Sequence, residues 1–314
     1  MDKNNRKYAV VNIGSLKTKC LLGFFDKNDK FFPLHKSNNL TCFGCGMHEN
    51  GGRILEKNIK ETIKEVLRLK RIIEKNNCQE VRLFATHALR NAVNKQEVKS
   101  QIEKATGFKI EIIEPEEEGE LYFQAVIRDF TSNDNYIVTD IGGGSVQILI
   151  GNKEKLLKNY SFQTGAQFLH ETFVRDPHNP ETLTKKEDLE RIEKYLAEQY
   201  TALNGEIGLP LIYGSSNIID LFKAIKIPLK PYKNSLPHPY KANVKDLNDF
   251  VERIINFPYG KREEMYPFQE GYMWGIDKAF LNVITLSKKF NSPYIIPSNT
   301  SIMEGFLYRL KEEI

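Results

Sequence analysis

The chain has 314 residues, a formal net charge of +4, 40% hydrophobic residues and 27% charged residues. That length leaves room for two domains with sizeable cores, and the charge is not gathered into the basic tract of a nucleic-acid-binding tail. No apolar run approaches the ~20 residues of a membrane span. The polar start MDKNNRK leads straight into an apolar run and is unlike a signal peptide, so the expected setting is cytoplasmic, with no nucleic-acid and no membrane partner.

Residues 8–25 read as strand, tight turn, strand, and Phe31-Phe32 begins a further strand. Residues 40–52 hold four glycines and form a loop. Within it, Cys42 and Cys45 make a lone C-x-x-C with His48 nearby. No second ligand pair follows, since Cys78 and Cys20 are isolated, so the thiols are expected to be ordinary loop or core groups rather than a zinc site. Residues 54–76 predict an amphipathic helix with Ile59, Ile63, Val66, Leu67, Ile72 and Ile73 on its apolar face. A short buried strand over 81–85 runs into Thr86-His87-Ala88-Leu89-Arg90, and a helix begins near Lys95. Arg90 reads either as an anion clamp or as a surface helix charge, and His87 as a structural histidine. After a strand at 109–113 comes Glu114-Pro115-Glu116-Glu117-Glu118-Gly119-Glu120. Proline followed by acids is typical of a helix N-terminus, where negative charge favours the macrodipole. That accounts for most of these acids without excluding one that points into a cleft.

The stretch 136–151, YIVTDIGGGSVQILIG, is an apolar strand, an acid, three glycines, a serine and a second apolar strand. Glycines let backbone N–H groups approach a ligand closely, and successive N–H groups in such a turn form an anion-binding concavity. Asp140 beside Gly142, Gly143, Gly144 and Ser145 suggests a divalent cation partnered with phosphate. The alternative is an ordinary glycine-rich hairpin. At a constant offset, Asn12-Ile13-Gly14 falls on Asp140-Ile141-Gly142, and Leu21-Leu22-Gly23 on Leu149-Ile150-Gly151. The two hairpins read as copies, which implies a duplicated α/β lobe and a cleft between the copies. Residues 152–158 read as a polar turn. A helix follows through Phe168 and Leu169, and another over 185–203. Gly214, Ser215 and Ser216 follow a strand and make a third candidate phosphate contact. Residues 227–240 show no period. Helices are expected at about 244–256 and 271–290, with Trp274 in the core of the second, then a strand at 292–297 and a closing helix at 301–310.

Taken in order, these segments resemble the Ppx/GppA family of exopolyphosphatases and guanosine pentaphosphate phosphohydrolases. VVNIGSLKTK sits where that family opens with D-I-G-S-N-S, and ATHALRNA resembles its A-T-x-x-x-R-x-A segment. EPEEEGELYF resembles its E-E-E-A/G-R-L segment, and VTDIGGGSVQ its D-I-G-G-G-S-T-E loop. Thr164-Gly165-Ala166 matches its L-G-A turn, and MEGFLYRL its closing R-E-G-L-L helix. The resemblance implies an α/β fold of two ribonuclease H-like (actin/Hsp70/acetate-sugar kinase) lobes facing an interdomain cleft. The lobes would span 1–125 and 126–299, with a closing helix over about 300–314 able to pack back on the first.

The same resemblance implies attack of water on a terminal phosphoryl group, a reaction dominated by positioning and charge neutralisation. Glu118 would orient the water and Asp140 would bind Mg²⁺. Gly14, Ser15, Lys17, Thr18, Arg90, Gly142, Gly143, Gly144, Ser145, Gly214 and Ser215 would hold phosphates. The substrate would be polyphosphate or pppGpp, and relatives are commonly homodimers. Several positions depart from the pattern. Asn12 and Gln147 stand where the family carries acids, Leu16 and Lys17 replace small polar residues, and Ser215-Ser216 stands where relatives often have Gly-Thr. Two readings follow: a Mg²⁺-dependent phosphoanhydride hydrolase, or a polyphosphate- or nucleotide-binding relative with weak or no turnover.

Overall fold

The computed structural model describes residues 6–204 and 207–314. Residues 1–5, which include most of the polar start, lie outside the described residues. The chain forms two compact units, Met1–Tyr122 with Ile302–Ile314 and Phe123–Ser301.

The first unit opens with β1 (Lys7–Ile13), β2 (Lys17–Phe25) and β3 (Phe31–Leu40), an antiparallel meander. Then come α1 (Glu56–Lys75), β4 (Glu80–Ala85), α2 (His87–Asn91), α3 (Lys95–Thr106), β5 (Ile110–Ile112) and α4 (Pro115–Ile127), whose last turns belong to the second unit. The sheet order is β3-β2-β1-β4-β5, with β4 parallel to both its neighbours. Alternation along the strands sends Ala9, Val11, Ile13, Cys20 and Leu22 to one face. There they pack with the apolar stripe of α1, Ile59, Val66, Leu69 and Ile73, and with Val98 and Ile102 of α3. The remaining α1 side chains are mostly charged, so burial of one stripe orients the helix on the sheet.

The second unit repeats this plan with β6 (Tyr136–Ile141), β7 (Val146–Gly151), β8 (Leu156–Phe162), α5 (Ala166–Phe173), α6 (Lys186–Gln199), β9 (Leu211–Gly214) and α7 (Ile218–Ala224). It continues through β10 (Lys230–Pro231), β11 (Tyr240–Asn243), α8 (Val244–Ile254), α9 (Tyr259–Met265), α10 (Ile276–Phe290) and β12 (Tyr294–Ser298). Read from its β8 edge, the sheet order is β8-β7-β6-β9-β12-β11-β10. The first five strands have the order and directions of the first unit's five. Even the hairpin registers coincide at the constant offset: Ile13 faces Thr18 as Ile141 faces Val146, and Asn12 faces Lys19 as Asp140 faces Gln147. The last helix, α11 (Ile302–Glu312), belongs to the first unit. Phe306 stacks on Phe84 at 4.0 Å. Gly305 lies so close to α4 that an added Cβ would stand 2.2 Å from the Leu121 carbonyl oxygen.

Three stretches differ from the sequence expectation. Residues 156–158, expected in a polar turn, open β8, a half-exposed edge strand whose Lys158 and Ser161 disguise its alternation. Residues 271–275 are not helical, and Trp274 precedes α10, half-buried, with its ring 4.5 Å from that of His170. Gly271 adopts φ +69° there, and the Met273 amide donates to the Glu263 carboxylate at 2.8 Å, which holds the segment out of the helix. Helix α9 lies between the helices expected at about 244–256 and 271–290, where no element was expected.

Helix α9 is held by an ionic cluster buried in the second unit. Arg262, Asp277 and Lys278 are at most 1% exposed. The Asp277 carboxylate accepts from Arg262 at 3.0 Å, from Lys278 at 2.8 Å and from Thr184 at 2.7 Å. Burial alone would raise the Asp277 carboxyl, but the Lys278 and Arg262 charges overcome it and hold it below the usual carboxylate range. Burial pushes the Lys278 ammonium down. Two cations therefore depend on one carboxylate. Asp277→Asn is expected to cost about 3–5 kcal/mol, because it strands buried positive charge, and adding Lys278→Met should recover part of that loss. Urea unfolding of the three proteins checks this; an Asp277→Asn chain as stable as wild type would contradict it.

Candidate active site

In the second unit, β6 ends at Asp140-Ile141 and the chain turns through Gly142, Gly143, Gly144 and Ser145. The Gly142 amide donates to the Ser145 carbonyl at 3.0 Å, closing the turn. The next three acceptors face the start of α5. The Gly142 carbonyl accepts from Ala166 at 2.9 Å, the Gly143 carbonyl from Phe168 at 3.0 Å and the Gly144 carbonyl from Gly165 at 3.3 Å. All peptide bonds here are trans. In a trans peptide the C=O and the following N–H point in opposite directions. With the carbonyls drawn onto α5, the amides of Gly143, Gly144 and Ser145 face the other way and line the outer side of the loop. Contact is backbone on backbone: a Cβ on Gly165 would stand 2.4 Å from the Gly143 oxygen.

The first unit builds the same device from different residues. The Gly14 amide donates to the Lys17 carbonyl at 3.1 Å. The Ser15 carbonyl accepts from Gly44 at 2.7 Å, and the Leu16 carbonyl from Thr41 at 3.1 Å and Cys42 at 2.9 Å. The C-x-x-C segment is thus part of the clamp on this turn. Cys42 adopts φ +47°, and the Cys45 carbonyl is tied to α1 by Asn58 at 2.9 Å. Cys42 is half-buried and Cys45 buried. Among the described residues no group of three or more His, Cys, Asp and Glu side chains could hold a metal ion.

Register distributes the side chains around each turn. Asp140 and Gln147 are directly opposed, so both lie on one face of their sheet. Asp140 is half-buried. Gln147 is 2% exposed and donates to Ser161 at 3.1 Å, while its Oε1 has no hydrogen-bond partner among the described residues. On the equivalent face of the first unit lie Asn12, Lys17 and Lys19, and the buried Asn12 Oδ1 is likewise without a partner among the described residues. Lys17 and Ser15 are buried. Thr18 points to the opposite face, where its hydroxyl meets that of Thr41 at 3.0 Å. Gly214 pairs in parallel register with Asp140, so Ser215 emerges beside the start of the glycine loop. Its amide donates to Ser298 at 3.0 Å, and its carbonyl accepts from Ile218 in the first turn of α7 at 3.1 Å. Its hydroxyl lies 3.3 Å from that of Tyr272.

The acids of 114–120 separate once folded. Glu114, Glu116 and Glu120 are exposed, and Glu117 forms an ion pair with Arg309 of α11. Glu118, in the first turn of α4, is 9% exposed and accepts from Arg90 Nη1 at 3.0 Å. The same nitrogen donates to the Ile113 carbonyl. Arg90 is therefore an inward-facing residue of α2. Burial, then the Arg90 guanidinium, lowers the neighbouring His87 to about 4. The structure thus brings Arg90 to Glu118, and Gly14, Ser15, Lys17 and Thr18 into one hairpin of the same unit. In the other unit it gathers Asp140, the 142–145 loop, Gly214 and Ser215. Tyr272 joins that second group without any signal in the sequence, since its partner lies far along the chain.

A family model described as the Ppx/GppA phosphatase family matches residues 26–313. The chain belongs to the Ppx/GppA phosphatase family. Among curated proteins it is 25% identical to a bifunctional 3-dehydroquinate synthase/phosphatase of Fusobacterium nucleatum, over 81% of this chain and 39% of that one. It is 30% identical to exopolyphosphatase 1 of Mycobacterium tuberculosis, over 54% of this chain and 49% of that one. The chain thus spans half or less of the length of these relatives. The solved structure of an exopolyphosphatase from Cytophaga hutchinsonii superposes with a TM-score of 0.84 at 23% identity, covering 98% of this chain and 99% of that one. The Ppx/GppA fold is therefore shared along essentially the whole chain. No helix among the described residues is long and apolar enough to cross a membrane.

Two histidines make the folded family member sensitive to acid. His87 is lowered to about 4, and His170 to about 3, the latter by burial first and then by Lys278. Both groups take up a proton on unfolding below their ordinary value of about 6.5, and neither does so when folded until near pH 4. The unfolded state binds more protons in that window, so stability rises with pH from about 4 to about 6.5. Urea midpoints measured at pH 5 and pH 7.5 should differ, with the lower value at pH 5. Equal midpoints, or a higher one at pH 5, would contradict the assignment.

Proposed function

We propose that the chain is a phosphoanhydride hydrolase that releases terminal phosphate from inorganic polyphosphate or from pppGpp. The observation that carries this reading is the Arg90–Glu118 pair. One carboxylate of an acid-rich helix start is buried, and a guanidinium fixes its Oε2 at 3.0 Å. An ionised carboxylate only accepts hydrogen bonds, so Glu118 is suited to hold and orient an attacking water as a general base. Arg90 sets the carboxylate's direction and adds positive charge for the polyanion. The outward amides of Gly143, Gly144 and Ser145, with Gly214 and Ser215, suit the oxygens of bound phosphates. Gly14, Ser15 and Lys17 are the corresponding set of the first unit, where Lys17 supplies a point charge; Thr18, expected among them, turns its hydroxyl to the opposite face against Thr41 and leaves the set.

The oxygen donors of the second unit fit a hard divalent cation such as Mg²⁺. Asp140 brings charge, and Gln147, opposite it in register, brings an amide oxygen without a hydrogen-bond partner among the described residues. When bound there, the ion would neutralise charge on the phosphoryl oxygens. The second reading, a polyphosphate- or nucleotide-binding chain with weak turnover, is favoured by the uncharged amides of Asn12 and Gln147 where the family carries acids.

Phosphate release from long-chain polyphosphate and from pppGpp, with Mg²⁺, separates the two readings. Wild type is expected to release phosphate, and Glu118→Gln to lose about 10²–10⁴-fold. Release by wild type no higher than by Glu118→Gln would sink the hydrolase reading, and retained polyphosphate binding would then support the second. Lys17→Ser should weaken anion binding and flatten its salt dependence; an unchanged salt slope removes Lys17 from the binding set.

A further inference from the structure

The segment 271–275 stands beside the glycine loop without belonging to it. An added Cβ on Gly275 would lie 3.2 Å from the Ala166 side chain, and it is the Ala166 amide that holds the Gly142 carbonyl. Tyr272 leaves this segment with its ring edge-on to Phe268 at 5.2 Å, and its amide donates to the Gln269 carbonyl at 3.0 Å. Its hydroxyl ends 3.3 Å from Ser215 Oγ. The main chain of Ser215 is fully committed, amide to Ser298 and carbonyl to Ile218, so the side chain is the part of this residue available to a ligand.

Two hydroxyls in contact share one hydrogen. A phenol is the more acidic partner and the better donor. When Tyr272 donates to Ser215 Oγ, the serine hydrogen is turned outward, and accepting a hydrogen bond strengthens it as a donor. Burial first, with a smaller contribution from the Asp140 carboxylate, pushes the Tyr272 phenol up, so it keeps its proton at neutral pH.

We infer that Tyr272 is a positioning residue that aims the Ser215 hydroxyl at a non-bridging oxygen of a phosphate chain held by the 142–145 loop. The inference rests on the proposed function only for the ligand class, a phosphate chain; it requires no turnover.

The test uses inorganic tripolyphosphate with Mg²⁺ and isothermal titration calorimetry, in a Glu118→Gln background. Tyr272→Phe keeps the ring and its packing and removes only the hydroxyl. It should weaken binding about two- to tenfold, as expected for one net hydrogen bond, with no change in thermal midpoint. Ser215→Ala should weaken binding at least as much. The double variant should bind like Ser215→Ala alone, because Tyr272 acts through that hydroxyl. Binding by Tyr272→Phe equal to the background would overturn the assignment, and so would losses that multiply in the double variant. A background chain that does not bind tripolyphosphate would overturn it as well. If these losses appear while wild type releases no phosphate, the hydrolase reading fails and the role of Tyr272 stands.

Discussion

Three backbone carbonyls drawn onto the first residues of one helix organise the second unit. Gly142, Gly143 and Gly144 each surrender an acceptor to the start of α5. Planarity of the peptide then leaves no choice about where the following amides point. The arrangement needs glycine at the start of α5, because a Cβ on Gly165 would overlap the loop backbone. A loop restrained in this way is rigid before any ligand arrives, which is the condition for backbone dipoles to stabilise charge without reorganising.

The first unit repeats the frame and changes its chemistry. Both turns close with an amide-to-carbonyl bond across four residues, Gly14 to Lys17 and Gly142 to Ser145, and both have their carbonyls clamped from outside. The side chains on the shared face differ. Asp140, Ser145 and Gln147 in one unit correspond to Asn12, Lys17 and Lys19 in the other. One turn carries a carboxylate suited to a cation, and the other carries ammonium groups.

The glycine loop and its copy were legible in the sequence because few arrangements use an acid followed by three glycines between apolar strands. The constant offset between the copies reappears as identical strand register. The long amphipathic helix α1 was legible for an equally simple reason, a regular apolar stripe among charges. Strand β8 was not, since Leu156 to Phe162 alternates weakly at a half-exposed edge. The buried cluster of Arg262, Asp277 and Lys278 was hidden because charged side chains in a sequence look solvated until their partners are known. Among the acids at the start of α4, residue type does not separate Glu118 from Glu117. The helix turns the first toward Arg90 and the second toward Arg309. Tyr272 depends on a partner more than fifty residues away along the chain, so no local pattern could announce it.

The amides of Gly143, Gly144 and Ser145 are presented outward, while the Gly142 amide is spent on closing the turn. Glycine-selective ¹⁵N labelling with a titration of inorganic phosphate reads this residue by residue. The amide resonances of Gly143 and Gly144 are expected to move as phosphate binds, with the Gly142 resonance moving far less. Equal movement at Gly142, or no movement at Gly143 and Gly144, would contradict it.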